Sequence, residues 1–177
     1  MPMMVQTSTD DAPELLELIE RRRAQGLDRY DEWWEGMYRI VSGPTPEHGE
    51  LVAALVAFLL PRAHARHLAV SAPLNIGVDK FDARVPDLAV FRRDTERTSP
   101  AFLTTAELVV EVLSPSERPG EKLAFNAAWN VSEYLETDLA ERSVRLLRNH
   151  SGAWTPVSES GVIDLTVDEV VALLPGD

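Results

Sequence analysis

Apolar positions at Leu51, Leu55, Phe58 and Leu59 recur at steps of three and four with alanines between them, and predict a helix from Glu47 to about Arg66. Pro61 falls inside that segment and predicts a kink or an early stop, because proline removes one helical donor and crowds the preceding turn. A shorter amphipathic helix is expected over residues 10–24, "DDAPELLELIERRRA". Aspartates serve as caps there, a proline sits near the first turn, Leu15, Leu16, Leu18 and Ile19 are the apolar positions, and Gly26 is the stop. The period then changes. "MYRIVS" (37–42) alternates as a short strand, and "HLAVSAPLNIGV" (67–78) and "RVPDLAVF" (84–91) read as extended segments separated by a turn at "DKFDA". A polar loop over 92–106 leads into "ELVVEVL" (107–113), a nearly unbroken β-branched run of the kind found in a central strand covered on both faces. After a turn at "SPSERPGEK", residues 121–130 read as helical and "SEYLETD" as a strand. "RSVRLLRNHSGAWTPVS" then reads as a hairpin with "NHSG" at its tip, and the tail as a short strand and a last helical turn that Thr166 caps. Helices arranged around buried strands imply one mixed α/β domain.

Two carboxylates break this pattern. Asp87 stands at the head of one apolar run and Glu111 in the middle of another, and Lys122 follows on the next helix. Neighbouring strands lie about 4.8 Å apart, so side chains on one face of a sheet can converge. Two buried carboxylates brought that close repel each other, and each is also penalised for leaving water. A hard divalent cation such as Mg²⁺ relieves both penalties, and it can hold water and steady charge on a phosphodiester oxygen. A lysine suits the same pocket as a point cation. The residue types leave other uses open. Asp87 can cap a turn, Glu111 can pair with an arginine, Lys122 can be solvated, and two carboxylates can also cleave a glycosidic bond.

Composition narrows the setting. The chain has 177 residues, 45% apolar and 26% charged, and no cysteine, which excludes disulfides and thiolate metal sites. Its start lacks the pattern of a secretory signal, and its longest apolar run, 51–60, is about half of the ~20 residues a membrane span needs, so a cytoplasmic protein without a membrane partner is expected. A net charge of −12 counts against a broad electrostatic footprint for nucleic acid but leaves room for a local basic groove. The two basic clusters, "ERRRAQ" (20–25) and "FRRDTER" (91–97), read as solvated faces. Trp33 and Trp34 read first as packing anchors and second as a platform for stacked bases, with Gly36 supplying the turn after them.

The ordered set "GPTPEHGEL", "RVPDLAVF", "ELVVEVLSPSE", "EKLAFNAAWNVSEYL" and "RSVRLL" resembles the bacterial "putative restriction endonuclease" family of the PD-(D/E)xK nuclease superfamily. The resemblance runs from about residue 30 to the C-terminus, leaving residues 1–29 as an N-terminal helical extension and 30–177 as a restriction-endonuclease-like domain. It implies an α/β (α+β) fold with a central mixed sheet flanked by helices, and Mg²⁺-dependent hydrolysis of nucleic-acid phosphodiesters, with Mn²⁺ able to substitute. DNA is the first expectation for the substrate and RNA the alternative. By the same resemblance Asp87 and Glu111 are the metal ligands. Lys122 replaces the lysine that the superfamily's simplest motif places at 113, where this chain has Leu, and His48 matches a recurrent histidine at the start of the first core helix. Glu117 fills the place of an acid after "SP", and Asn126 stands where a tyrosine is expected, beside Lys122. One site per chain and a two-stranded substrate imply a two-fold homodimer. The rival implication is a catalytically silent member that serves as a binding or assembly module.

Overall fold

The computed structural model describes residues 3–5, 13–34, 37–41, 43–78, 82–114 and 117–176. In chain order the first elements are β1 (Met3–Val5), α1 (Pro13–Ala24), β2 (Glu32–Trp34), β3 (Met37–Ile40), α2 (Pro46–Ala65), β4 (Leu68–Ser71), β5 (Asn75–Gly77), β6 (Ala83–Arg84) and β7 (Leu88–Arg92). They are followed by β8 (Arg97–Ser99), β9 (Phe102–Leu103), β10 (Leu108–Leu113), α3 (Leu123–Ala128), β11 (Glu133–Asp138), β12 (Ser143–His150), β13 (Ala153–Val157) and α4 (Val167–Val171). The strands form two mixed sheets flanked by helices, an α+β architecture as expected. The main sheet runs β13-β12-β11-β10-β7-β4, and a smaller one runs β1-β3-β2-β6-β5-β9-β8.

β10 sets the layering, because all six of its residues are buried. Its side chains alternate between two cores. Leu108, Val110 and Val112 join Leu51, Leu55, Leu59 and Ala63 of α2 on one face. Val109 joins Ala89, Tyr134 and Leu147 on the other, where Leu123 and Phe125 of α3 close the layer. A β-branched run that must face apolar neighbours on both sides can satisfy itself only in such a sandwiched position. β10 pairs parallel with β11 and antiparallel with β7.

α2 begins where Thr45 Oγ1 accepts from the backbone N–H of His48 at 3.3 Å, with Pro46 in the first turn. The expected break at Pro61 does not occur, and the helix continues to Ala65. A proline inside a helix costs about 3 kcal/mol. Leu59 and Ala63, which flank it, are fully buried and offset that cost. α1 buries Leu15 and Ile19 against Trp33 and Tyr38, whereas Leu16 is exposed, so its apolar stripe is narrower than expected. The capping aspartates 10 and 11, Gly36 and most of the "DKFDA" turn lie outside the described residues.

The extended segments divide in a way the periodicity did not indicate. Residues 67–78 supply β4 to the main sheet and β5 to the small one, and "ARVPDLAVF" supplies β6 to the small sheet and β7 to the main one. The expected polar loop over 92–106 carries β8 and β9. The short strand expected after Val162 is absent, and a single bridge between Glu159 and Thr166 takes its place. The other late features match expectation. Asn149–Gly152 forms the hairpin tip, with Ser151 and Gly152 at positive φ, and Thr166 and Glu169 form a reciprocal capping box on α4. Among the described residues, no helix is long and apolar enough to cross a membrane.

Candidate active site at the junction of the two sheets

The β7–β10 ladder ends at Leu88 opposite Val110, and Asp87 stands just before β7, close enough to Glu111 for its charge to push the Glu111 carboxyl up. Asp87 is fixed by backbone, since the Val112 N–H donates to its Oδ2 at 2.8 Å. It stands in the crossing between β6 and β7, where Pro86 has no amide hydrogen to leave unpaired. From the first turn of α2, His48 places Nε2 2.9 Å from Asp87 Oδ1.

Glu111 lies in mid-strand and is 4% exposed. Its Oε2 accepts from Lys122 Nζ at 3.0 Å, while its Oε1 is buried without a hydrogen-bond partner among the described residues. Lys122 caps α3 and sends its ammonium back into the sheet, where it also lies 3.2 Å from Glu32 Oε1 and 3.8 Å from Glu117 Oε1. The side-chain amide of Asn126 donates to the Lys122 carbonyl at 3.0 Å, so the residue that stands in for the expected tyrosine braces the lysine's backbone. Glu117 Oε2 accepts from the Ser114 amide and hydroxyl. The four side chains expected from sequence (His48, Asp87, Glu111 and Lys122) thus stand in one cluster.

Glu32 is the member that the sequence did not reveal. It is buried on β2, its Oε1 accepts from the Val85 N–H at 2.7 Å, and its Oε2 accepts from Trp34 Nε1 at 2.7 Å. Two guanidiniums stack on the Trp34 ring, Arg39 at 3.8 Å and Arg84 at 4.3 Å, and Arg84 also lies 4.2 Å over Phe125 of α3. Trp34 therefore serves as a packing anchor, and Trp33 packs on Tyr38 with ring centroids 5.0 Å apart. The available signal was the acid beside two tryptophans in "DEWW": a short strand that buries Trp33 also draws Glu32 inward.

Burial raises the Glu111 carboxyl well above the usual range. Lys122 opposes that rise, and Asp87, Glu32 and Glu117 reinforce it. Burial alone would lower Lys122, but Glu111, Glu32 and Glu117 outweigh it and hold the ammonium charged well beyond its ordinary range. Burial likewise pulls His48 down, and Asp87 more than compensates, leaving the imidazole raised. Four carboxylates surround Lys122 and His48, and Arg84 adds a third positive charge beside Glu32.

Among the described residues, no group of three or more His, Asp or Glu side chains is arranged to hold a metal ion. The pair Asp87 and Glu111 nevertheless fits a hard cation of the Mg²⁺ kind, which keeps several waters and typically takes one or two protein carboxylates. The unpartnered Glu111 Oε1 is the donor that such an ion would satisfy.

A model of the Uma2 family, described as "Putative restriction endonuclease", matches residues 13–172, a span that takes in α1 and every residue of the cluster. The chain belongs to the Uma2 family. A similar fold is found in a structure described as a "putative nuclease belonging to DUF820" from Anabaena variabilis ATCC 29413. It has a TM-score of 0.65 at 17% identity and covers 82% of this chain and 91% of that one. A DrdV–DNA complex aligns over 90% of this chain and 14% of that one, with a TM-score of 0.40 and 13% identity. No curated protein matches the chain. Uma2 membership and the shared fold agree with the restriction-endonuclease-like core expected from the sequence.

Proposed function

We propose that this Uma2 member is a metal-dependent endonuclease that hydrolyses phosphodiester bonds of nucleic acid, DNA in the first instance. The observation that carries the reading is the buried Glu111–Lys122 pair at the end of the β7–β10 ladder. Asp87 stands within electrostatic reach of Glu111 there, and one buried Glu111 oxygen is unpartnered among the described residues. Asp87 and Glu111 would hold Mg²⁺, or Mn²⁺ in its place. Such an ion, when bound, polarises the phosphoryl group and makes its water a nucleophile near neutral pH.

The chain's own residues divide the remaining work. Lys122 is held charged by three carboxylates, so it acts as a fixed cation facing the developing phosphoryl charge and not as a base. Glu32 and Glu111 aim its Nζ from two sides. His48 orients Asp87 through Oδ1, and the Val112 amide does so through Oδ2. The buried surroundings of Glu111 strengthen each of these interactions relative to water. Were both strands of a duplex to be cut, one such site per chain would call for a two-fold homodimer, acting in the cytoplasm.

Calorimetric titration with Mn²⁺ tests the metal pair. The native chain is expected to give a binding isotherm and Asp87→Ala none, and equal heats from the two would sink the reading. Nicking of plasmid DNA in Mn²⁺ tests the chemistry. Activity should be lost in Glu111→Gln, and a native chain that binds metal yet never cuts would be the silent binding module instead.

A further inference from the structure

Glu32 is shared between the acidic cluster and a cavity of about 290 Å³ between the α1–β2 loop and the small sheet. Arg23, Arg29, Tyr38, Asn75 and Phe102 also line that cavity. Its volume lies just below the roughly 300–1,000 Å³ typical of ligand pockets, so it can take no more of a chain than about one nucleotide.

Three acids lie along the cavity, and each is already spent. Asp31 accepts from Arg22 at 2.7 and 2.9 Å, from the Tyr38 hydroxyl at 2.6 Å and from the Val41 amide at 2.9 Å. Asp28 faces Arg23 at 3.5 Å, and Glu32 is held by Val85, Trp34 and Lys122. Arg29 differs. It is exposed, its guanidinium rests 5.9 Å from the Tyr30 ring centroid, and it has no carboxylate partner among the described residues. Asn75 donates Nδ2 to the Ala101 carbonyl at 3.0 Å, and its Oδ1 has no partner among the described residues. Phe102 is half-buried at the wall. An uncompensated guanidinium, a free amide acceptor and an aromatic ring together match a phosphate, a base edge and a base face.

We propose that this cavity seats one unstacked nucleotide of a single-stranded nucleic acid, its phosphate on Arg29 and its base against Phe102 and Asn75. Glu32 is the wall between this seat and Lys122, so on the nuclease reading the seated nucleotide neighbours the scissile bond. The seat also explains how a chain of net charge −12 can hold a polyanion, because the attraction is local to one mouth.

The test is fluorescence anisotropy with a labelled single-stranded deoxyoligonucleotide of about twelve nucleotides, in EDTA so that no cleavage occurs. Arg29→Ala is expected to weaken binding about tenfold and to flatten the salt dependence by about 0.7 in the log–log slope. Phe102→Ala should weaken it at least about fivefold through lost stacking. Arg93→Ala, an exposed arginine beyond the far end of β7, should leave affinity unchanged. Arg29→Ala is a surface change and keeps the test valid should Phe102→Ala fold poorly. Native affinity in Arg29→Ala, or no binding by the native chain, overturns the proposal. Unchanged binding by Arg29→Ala in a chain that still nicks DNA with Mn²⁺ would sink the seat alone. Arg29-dependent binding without nicking would sink the nuclease reading alone.

Discussion

Three buried glutamates sit on the neighbouring central strands of the main sheet, and two of them are treated differently from the third. Glu133 accepts from Arg148 at 2.9 Å, from the Gly161 amide at 2.8 Å and from the Ser160 hydroxyl. Glu136, the register partner of Glu111, accepts from the Gly120 amide at 2.7 Å and from Arg145. Each of these carboxylates has a guanidinium and a backbone donor, so its burial is compensated within the fold. Glu111 has one ammonium, shared with two other acids, and an oxygen with no partner among the described residues, and the charge of Asp87 bears on it as well. Saturation leaves Glu133 and Glu136 with no oxygen to spare, whereas the deficit at Glu111 is the one the proposed metal would fill.

Exchanging the fates of these residues is the strongest way to break that contrast. Glu111→Gln should lower Mn²⁺-dependent nicking by about 10³-fold or more, about 4 kcal/mol of transition-state stabilisation, with little change in the denaturation midpoint. Glu133→Ala should do the reverse and cost about 3 kcal/mol in urea denaturation, because it strands a guanidinium and two further donors. A variant of Glu133 that lost activity at full stability would erase the distinction.

The same contrast predicts a pH-dependent response to metal. The folded-state Glu111 carboxyl is raised, so the fold disfavours its anion, and this group's contribution to stability falls as pH rises from 4.5 through the folded value. A divalent cation removes that penalty. Mn²⁺ at about ten times its Kd should raise Tm by about 4 °C near pH 8, and by clearly less near pH 5.5. Glu111→Gln should abolish the difference, and an equal shift at both pH values in the native chain would contradict it. The smallest effect is expected at Trp34. Trp34→Phe keeps a ring between Arg39 and Arg84 but loses the N–H to Glu32, worth about 1 kcal/mol, or about fivefold in kcat/KM. The melting temperature should fall by about 3 °C.

What the sequence made legible followed from how strongly each segment constrains itself. The β-branched run at 108–113 admits only a doubly covered strand, and Pro86 admits only a position where a missing amide hydrogen does no harm, so the approach of Asp87 to Glu111 could be anticipated. Lys122 was reachable because an ammonium on the next helix has a long stem. The small sheet was not legible. β6 and β9 are two residues each, too short to show any alternation, and their pairing is decided by partners distant in the chain. Nor could residue type separate Glu111 from Glu133 and Glu136, because the partners that saturate the latter two, Gly120, Ser160 and Gly161 among them, are brought in by loops. Glu32 stayed hidden for the same reason: its importance comes from Lys122, which meets it across the gap between two sheets.

Lys122 therefore works as a rivet as well as a charge, since one ammonium fastens Glu111 of the main sheet to Glu32 of the small one. Removing it would loosen the assembly along with any chemistry, and the two losses would be confounded. For trapping an intact substrate complex, the inert version of this protein is best made by neutralising Glu111, which leaves the rivet in place on its other anchor.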